Sequence, residues 1–247
     1  MNNLAGKKVW VFLPAFNARK TLEKTYRDIP RDLVHEIILV DDGSRDGTPE
    51  LARSLSIRTV VHEKNLGYGA NQKTGFRIAL AEGADIVVLL HPDYQYDPRI
   101  IPELISPIAE DRADVVLGSR MRGLEALRRG MPLYKYLGNI FLTWMENFFL
   151  GTGFSELHTG LRAYSRRALQ AIPLEKNSDD FVFDSEVITE MLSRGFRFAE
   201  IYSPAHYSPD SSSIGLFRSI VYGLGTLLVI FRLFFHRVGI IKDARFG

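Results

Sequence analysis

The chain has 247 residues, 46% of them hydrophobic and 24% charged, the composition of an ordinary globular protein with a sizeable core. It contains no cysteine, which excludes disulfides and thiolate metal sites and fits a reducing compartment. A net charge of +2 is too small to indicate a nucleic-acid partner.

The first apolar run, residues 8–13, has the length of a buried strand, so no signal peptide is expected. It stops at the turn Pro14-Ala15-Phe16-Asn17, and residues 21–27 follow with helical spacing. Residues 35–40 read as a second strand, running into Asp41-Asp42-Gly43-Ser44-Arg45-Asp46-Gly47-Thr48. Thr48 is expected to cap a helix over 49–55, with Pro49 in its first turn. A short third strand is predicted at 59–61, then a Gly-rich loop at 65–71, a helix over 72–82 and a fourth strand at 84–90. The alternation of strand and helix predicts an α/β fold with a mainly parallel sheet, whose ligands gather beyond the carboxyl ends of the strands.

Two of those strand ends carry chemistry. Adjacent carboxylates directly after an apolar strand, as at Asp41 and Asp42, are costly unless they bind something. Ribose hydroxyls, a base N–H or a metal would serve; capping of the next helix is the structural alternative. The fourth strand runs into His91-Pro92-Asp93-Tyr94-Gln95, where alternate positions set His91, Asp93 and Gln95 on one side. An imidazole, an acid and an amide there could hold a divalent cation or a sugar; otherwise Asp93 and Asp97 cap turns beside Pro92 and Pro98. Gly67-x-Gly69 lacks the third glycine of a dinucleotide fingerprint, and no Walker A sequence is present.

In this order, Pro14-Ala15-Phe16-Asn17, Asp41-Asp42-Gly43-Ser44-x-Asp46-Gly47-Thr48, Asn65-x-Gly67-x-Gly69, Asp93-x-Gln95-x-x-Pro98 and Gly118-Ser119-Arg120 resemble the family-2 glycosyltransferases. The similarity is greatest to the polyprenol-phosphate (dolichol-phosphate) sugar transferases and covers roughly residues 8–205. The resemblance implies the glycosyltransferase-A fold. It implies a nucleotide-sugar pocket made by Pro14, Ala15, Asn17, Asp41, Asp42, Gly43, Asn65 and Gly67. It implies a divalent metal, manganese or magnesium, at Asp93 with Gln95 and His91, and catalytic roles for Asp93 and for Arg120, which would meet an acceptor phosphate. The chain departs from the family at Ala18, often Glu, at Tyr68, often Lys, and at His91, which replaces the first acid of an Asp-x-Asp motif. Imidazole is itself a metal ligand, better suited to manganese than to magnesium.

The second half reads as an acceptor region. Arg120, Arg122, Arg128, Arg129 and Lys135 surround a single acid, Glu125, and make a platform for a phosphate or an anionic membrane surface. Residues 133–150 carry Leu137, Ile140, Phe141, Trp144 and Phe148 as one helical stripe, expected in the core, with lipid contact as the alternative. Glu156, His158, Thr159, Gly160 and Arg162 loosely match the family block that precedes its acceptor-side helix, and Asp184 and Glu186 open a helix running to 193. Residues 208–213 read as a mobile lid.

Residues 1–210 are thus expected as the catalytic domain and 211–247 as a helical tail. The tail has an uncharged run of 13 residues, 219–231, and five basic residues against one acid. Since spanning a bilayer takes about 20 apolar residues, an interfacial anchor or an oligomer contact is expected, with folding back on the domain as the alternative. The functional expectation is an inverting transferase moving a sugar from a nucleoside-diphosphate sugar to a polyprenyl phosphate, at the cytoplasmic face of the membrane. A saccharide hydroxyl as acceptor, which would need a base such as Asp184 or Glu186, or nucleotide-sugar binding without turnover, are the competing expectations.

Overall fold

The computed structural model describes residues 6–207 and 215–246. Its first half runs β1 (Val9–Ala15), α1 (Arg19–Arg27), β2 (Glu36–Asp41), α2 (Thr48–Ser54), β3 (Arg58–Val61), α3 (Tyr68–Ala81) and β4 (Ile86–Leu89). The second half adds α4 (Ile101–Ala109), β5 (Val115–Ser119), α5 (Glu125–Arg128), α6 (Leu133–Leu150), β6 (Arg162–Ser165) and α7 (Arg166–Gln170). Then come α8 (Phe183–Ser193), β7 (Phe198–Tyr202) and α9 (Leu216–Arg237).

The described strands form one sheet in the order β3-β2-β1-β4-β6-β5-β7. The β3-β2-β1-β4 portion is parallel. β6 runs against both β4 and β5, so β5 points the same way as β4. The carboxyl ends of β1, β2, β4 and β5 therefore share one edge, where Asn17, Asp41, Asp93 and Arg120 emerge. Continuous aliphatic runs in β1, β2 and β4 suit a sheet covered on both faces. One layer, around Val11, Leu13, Leu39 and Val88, takes α1, α2 and α4; the other, around Phe12, Ile38, Val87 and Leu117, takes α3, α7 and α8.

The expected elements of the first half are present, with ends moved by a few residues. Thr48 does not cap α2. Gly47 occupies that position, and the Asp46 carboxylate accepts the Thr48 N–H at 3.0 Å. The Thr48 hydroxyl instead accepts from the Ala18 N–H at 2.9 Å, tying α1 to α2. The expected lid at 208–213 and the expected boundary near 210 lie outside the described residues.

α6 overturns a reading of its periodicity. The stripe expected in the core is exposed: Leu137 56%, Phe141 51%, Trp144 60% and Phe148 71%. The face it buries is mainly polar, with Asn139, Thr143 and Glu146 beside Leu142. α9 behaves differently. At 22 residues, about 33 Å, it is long and apolar enough to cross a membrane by length and composition, a longer helix than the uncharged run alone indicates. It buries Thr226, Val229, Ile230 and Leu233 and leaves Phe217, Ile220, Leu224 and Leu228 outside. α9 packs on α6 and α8, with Phe149 edge-on to Phe231 and Phe234 at 5.6 Å each. The fold-back alternative thus holds for one face, and the other joins α6 in a single apolar surface.

Candidate active site

At the ends of β1 and β2 a cleft of about 370 Å³ opens between Phe16, Asn17, Gly43, Arg45, Glu63, Lys64 and Asn65. Its walls interlock. The Asn17 N–H donates to the Ser44 hydroxyl at 2.7 Å, and its side-chain carbonyl accepts the Arg45 N–H at 3.0 Å. Asn17 holds φ +53, a left-handed conformation that asparagine tolerates. Gly43, at φ +76, passes so close to the next loop that a β-carbon would lie 2.9 Å from the Asn65 nitrogen. Asp41 is fully buried at the last position of β2, two residues before Gly43. One of its oxygens accepts the Ser44 N–H at 2.8 Å, and the other, Oδ1, has no partner. An orphaned buried carboxylate oxygen is costly unless a donor arrives, and the N–H of a base or a ribose hydroxyl is such a donor.

Asp42, expected in the pocket, is instead taken up by the chain. Its Oδ1 accepts the Leu66 N–H at 2.9 Å and the His62 imidazole N–H at 2.7 Å, and its Oδ2 accepts the Gly67 N–H at 3.0 Å. It organises the Gly-rich loop. That loop is clamped from the far side, where the Gly69 N–H donates to the Asp179 carbonyl at 2.7 Å. Gly67 holds φ +108 with that carbonyl 2.4 Å from where a β-carbon would sit, so no other residue fits. Pro14 and Ala15 are buried strand residues; the Ala15 carbonyl accepts the Asp42 N–H at 2.8 Å, which sets the register of the two loops.

Asp93 lies beyond β4, 5% exposed, and one of its oxygens accepts the Gln95 main-chain N–H at 3.0 Å. His91 stacks on Tyr68 with 5.6 Å between ring centroids and 3.2 Å from Nε2 to the phenol oxygen. Burial holds the His91 imidazole below the ordinary histidine range, against the pull of Asp93 and Asp184. Among the described residues no group of three or more acid or histidine side chains stands ready for a metal. Asp93 and His91, whose charges interact, are the donors this edge offers, and a cation there would need to draw its other ligands from a diphosphate.

The model of the family described as Glycosyl transferase family 2 matches residues 10–172, which include the cleft, Asp41, Asp42, His91 and Asp93. The chain belongs to that family. It is 26% identical over 257 aligned positions to the UDP-N-acetylglucosamine–dolichyl-phosphate N-acetylglucosaminyltransferase of Methanococcus voltae, covering 97% of this chain and 100% of that protein. It is 30% identical over 197 positions to the dolichyl-phosphate hexose transferase of Haloferax volcanii, covering 78% of this chain and 81% of that one. The crystal structure of glucosyl-3-phosphoglycerate synthase from Mycobacterium tuberculosis, in complex with Mn2+, UDP and glucosyl-3-phosphoglycerate, superposes with a TM-score of 0.68 at 22% identity. That match covers 97% of this chain and 82% of the other, and it establishes the glycosyltransferase-A fold.

In this glycosyltransferase Arg120, expected to meet an acceptor phosphate, is engaged by the chain. Its guanidinium does not stand open for a phosphate but pairs with the fully buried Glu156, Nε to Oε1 at 2.8 Å, with a second, shorter contact from Nη2. It also donates to the His158 carbonyl at 2.9 Å and to the Tyr207 hydroxyl at 3.2 Å. Burial alone would raise the Glu156 carboxyl; the Arg120 charge outweighs it and holds the group below the usual range. Asn139 of α6 donates to the same carboxylate at 2.6 Å, which is why α6 turns a polar face inward.

Neither acid considered as a base is open. Asp184 accepts from Tyr68 and Gln72 at 2.8 Å each and pairs with the buried Arg162 at 2.7 Å. Glu186 accepts the Ser178 N–H and pairs with Arg245, both at 2.6 Å. Sequence reasoning missed Phe16, Arg45, Lys64 and His62. Phe16, half exposed at the rim of the cleft, can stack on a base. Its only sequence signal is a large aromatic in a turn straight after a strand.

Proposed function

We propose that the enzyme transfers a sugar, with inversion, from a nucleoside-diphosphate sugar to a polyprenyl phosphate at the cytoplasmic surface of a membrane. The observation that carries this reading is α6: it buries polar residues beneath the Arg120–Glu156 pair and turns Leu137, Phe141, Trp144 and Phe148 outward. Exposed apolar surface on this scale marks a lipid or protein contact. α9 extends it, and the exposed Arg122, Arg128 and Arg129 border it. A lipid acceptor needs its phosphate delivered at such a boundary. The names of the two dolichyl-phosphate relatives agree with this acceptor.

The chemistry follows from the donors and acceptors present. Asp41 and the cleft hold the nucleotide. Asp93 with His91 would hold a manganese or magnesium ion, which when bound neutralises charge on the leaving diphosphate. An oxygen of the acceptor phosphate attacks the anomeric carbon from the opposite face, and the bond to the diphosphate breaks. The phosphate is already ionised, so no base must take a proton, in keeping with the engagement of Asp184 and Glu186. A hydroxyl acceptor would need one.

The test is turnover of nucleotide sugars on a long-chain polyprenyl phosphate in vesicles, with Trp144→Glu/Phe148→Glu alongside. The double variant should lose co-sedimentation with anionic vesicles and at least about tenfold in turnover on the long-chain acceptor. A water-soluble short-chain phosphate should be used as before. Intact protein that ignores vesicles at low salt, yet dissociates from dimer to monomer in the variant, would make this face a subunit contact instead.

The orphaned oxygen of Asp41 leads to a second measurement. Asp41→Ala should weaken nucleoside diphosphate binding by about 1.5–3 kcal/mol, the worth of a hydrogen bond to a charged group, or roughly 10- to 150-fold. Titration calorimetry reads it directly. Unchanged affinity would remove Asp41 from the pocket.

A further inference from the structure

An open depression of about 550 Å³ lies away from the nucleotide cleft, between the loop that follows α7 and the segment that folds back after α9. Lys176, Asn177, Glu186, Arg232, Lys242 and Arg245 contribute to its lining. Its acids are already neutralised. Arg245, 7% exposed, bridges Glu186 at 2.6 Å and Asp243 at 2.6 Å. Lys176, Arg232 and Lys242 are exposed at the rim, and none of them forms an ion pair among the described residues. Asn177, 5% exposed, turns its side chain to the adjoining buried Glu190. Burial raises the Glu190 carboxyl to about 7, against the pull of Arg245 and Arg194, so the wall carries less negative charge near neutrality.

We infer that this depression is a second anion site, taking a phosphate-bearing ligand on Arg232, Lys242 and Lys176. Cations without acid partners, around a surface whose own acids are already neutralised, are the arrangement that recognises phosphate oxygens. The back wall is the segment that holds the nucleotide side in place: the Asn177 carbonyl accepts from Lys73 at 2.5 Å, and Asp179 receives the Gly69 N–H. The phosphate could come from a soluble ester or from a lipid headgroup, since the exposed Phe231, Phe234, Ile240 and Ile241 flank the same end of α9.

The experiment titrates the full chain with inorganic pyrophosphate and, separately, with phosphatidylcholine vesicles with and without phosphatidic acid. Three proteins are compared: the native chain, Arg232→Gln/Lys242→Gln, and Arg45→Gln/Lys64→Gln in the nucleotide cleft. A soluble ligand predicts two classes of pyrophosphate site, one weakened at least about tenfold by each pair of substitutions. A lipid ligand predicts that Arg232→Gln/Lys242→Gln lowers binding to phosphatidic-acid vesicles at least about fivefold, leaving the affinity for a nucleoside diphosphate unchanged. If neither titration responds to the rim pair in protein that melts like the native chain, the inference fails. Because pyrophosphate binding at the rim requires no acceptor lipid, that failure is distinct from failure of the polyprenyl-phosphate reading.

Discussion

Asp93→Asn should lower sugar transfer at least about 100-fold, the scale seen when one preorganised electrostatic group is removed from a transferase or hydrolase site, and leave the melting temperature within a few degrees. The substitution keeps shape and an acceptor oxygen. The Gln95 N–H that Asp93 accepts at 3.0 Å can still be met by the asparagine carbonyl. What disappears is the negative charge at the carboxyl edge of β4, beside a His91 that burial keeps neutral. Initial rates with saturating donor, at several manganese concentrations, with thermal melts on the same samples, check this. Near-native turnover would remove Asp93 from the chemistry; collapse of the melt would show that its part is structural.

Glu156→Gln should cost about 3–5 kcal/mol of stability, because it leaves the Arg120 charge buried without a counter-charge. For a chain of this size that is a fall in melting temperature of roughly 6–20 °C. Glu156 is fully buried, and Arg120, Asn139 and two main-chain groups converge on this corner. Arg120→Met on top of Glu156→Gln should recover much of the loss, since a matched apolar replacement of a buried pair is often neutral. A single variant that melts like the native chain would mean that Arg120 reaches water or a ligand, and would return it to the acceptor phosphate.

The depth to which the sequence is readable differs along the chain. In the first half, aliphatic runs of strand length and turn residues at their ends specify β1, β2 and β4 and the edge where they stop, because both signals are local. Asp41 is legible for the same reason: a carboxylate directly after a buried strand has a cost visible in one dimension. Asp42 looks identical at that level. Its assignment to the Gly-rich loop depends on Leu66, Gly67 and His62, 20 to 25 residues away, and no local pattern announces them.

Arg120 is a sharper case. Its place at the end of β5 on the active edge is predictable, but its partner Glu156 arrives from a loop 36 residues later, through a strand that runs antiparallel. The sequence by itself determined the fold class, the family, the strand-end edge that carries the site, and which face of α6 is apolar. Only the tertiary structure decided which face of α6 is covered. Periodicity records where apolar side chains lie on a helix, not what they meet, and here the polar face is pulled inward by Glu156 and His158 while the aromatic face is left outside. Burial is a property of neighbours distant in the chain, so it becomes readable only when the chain has brought them together.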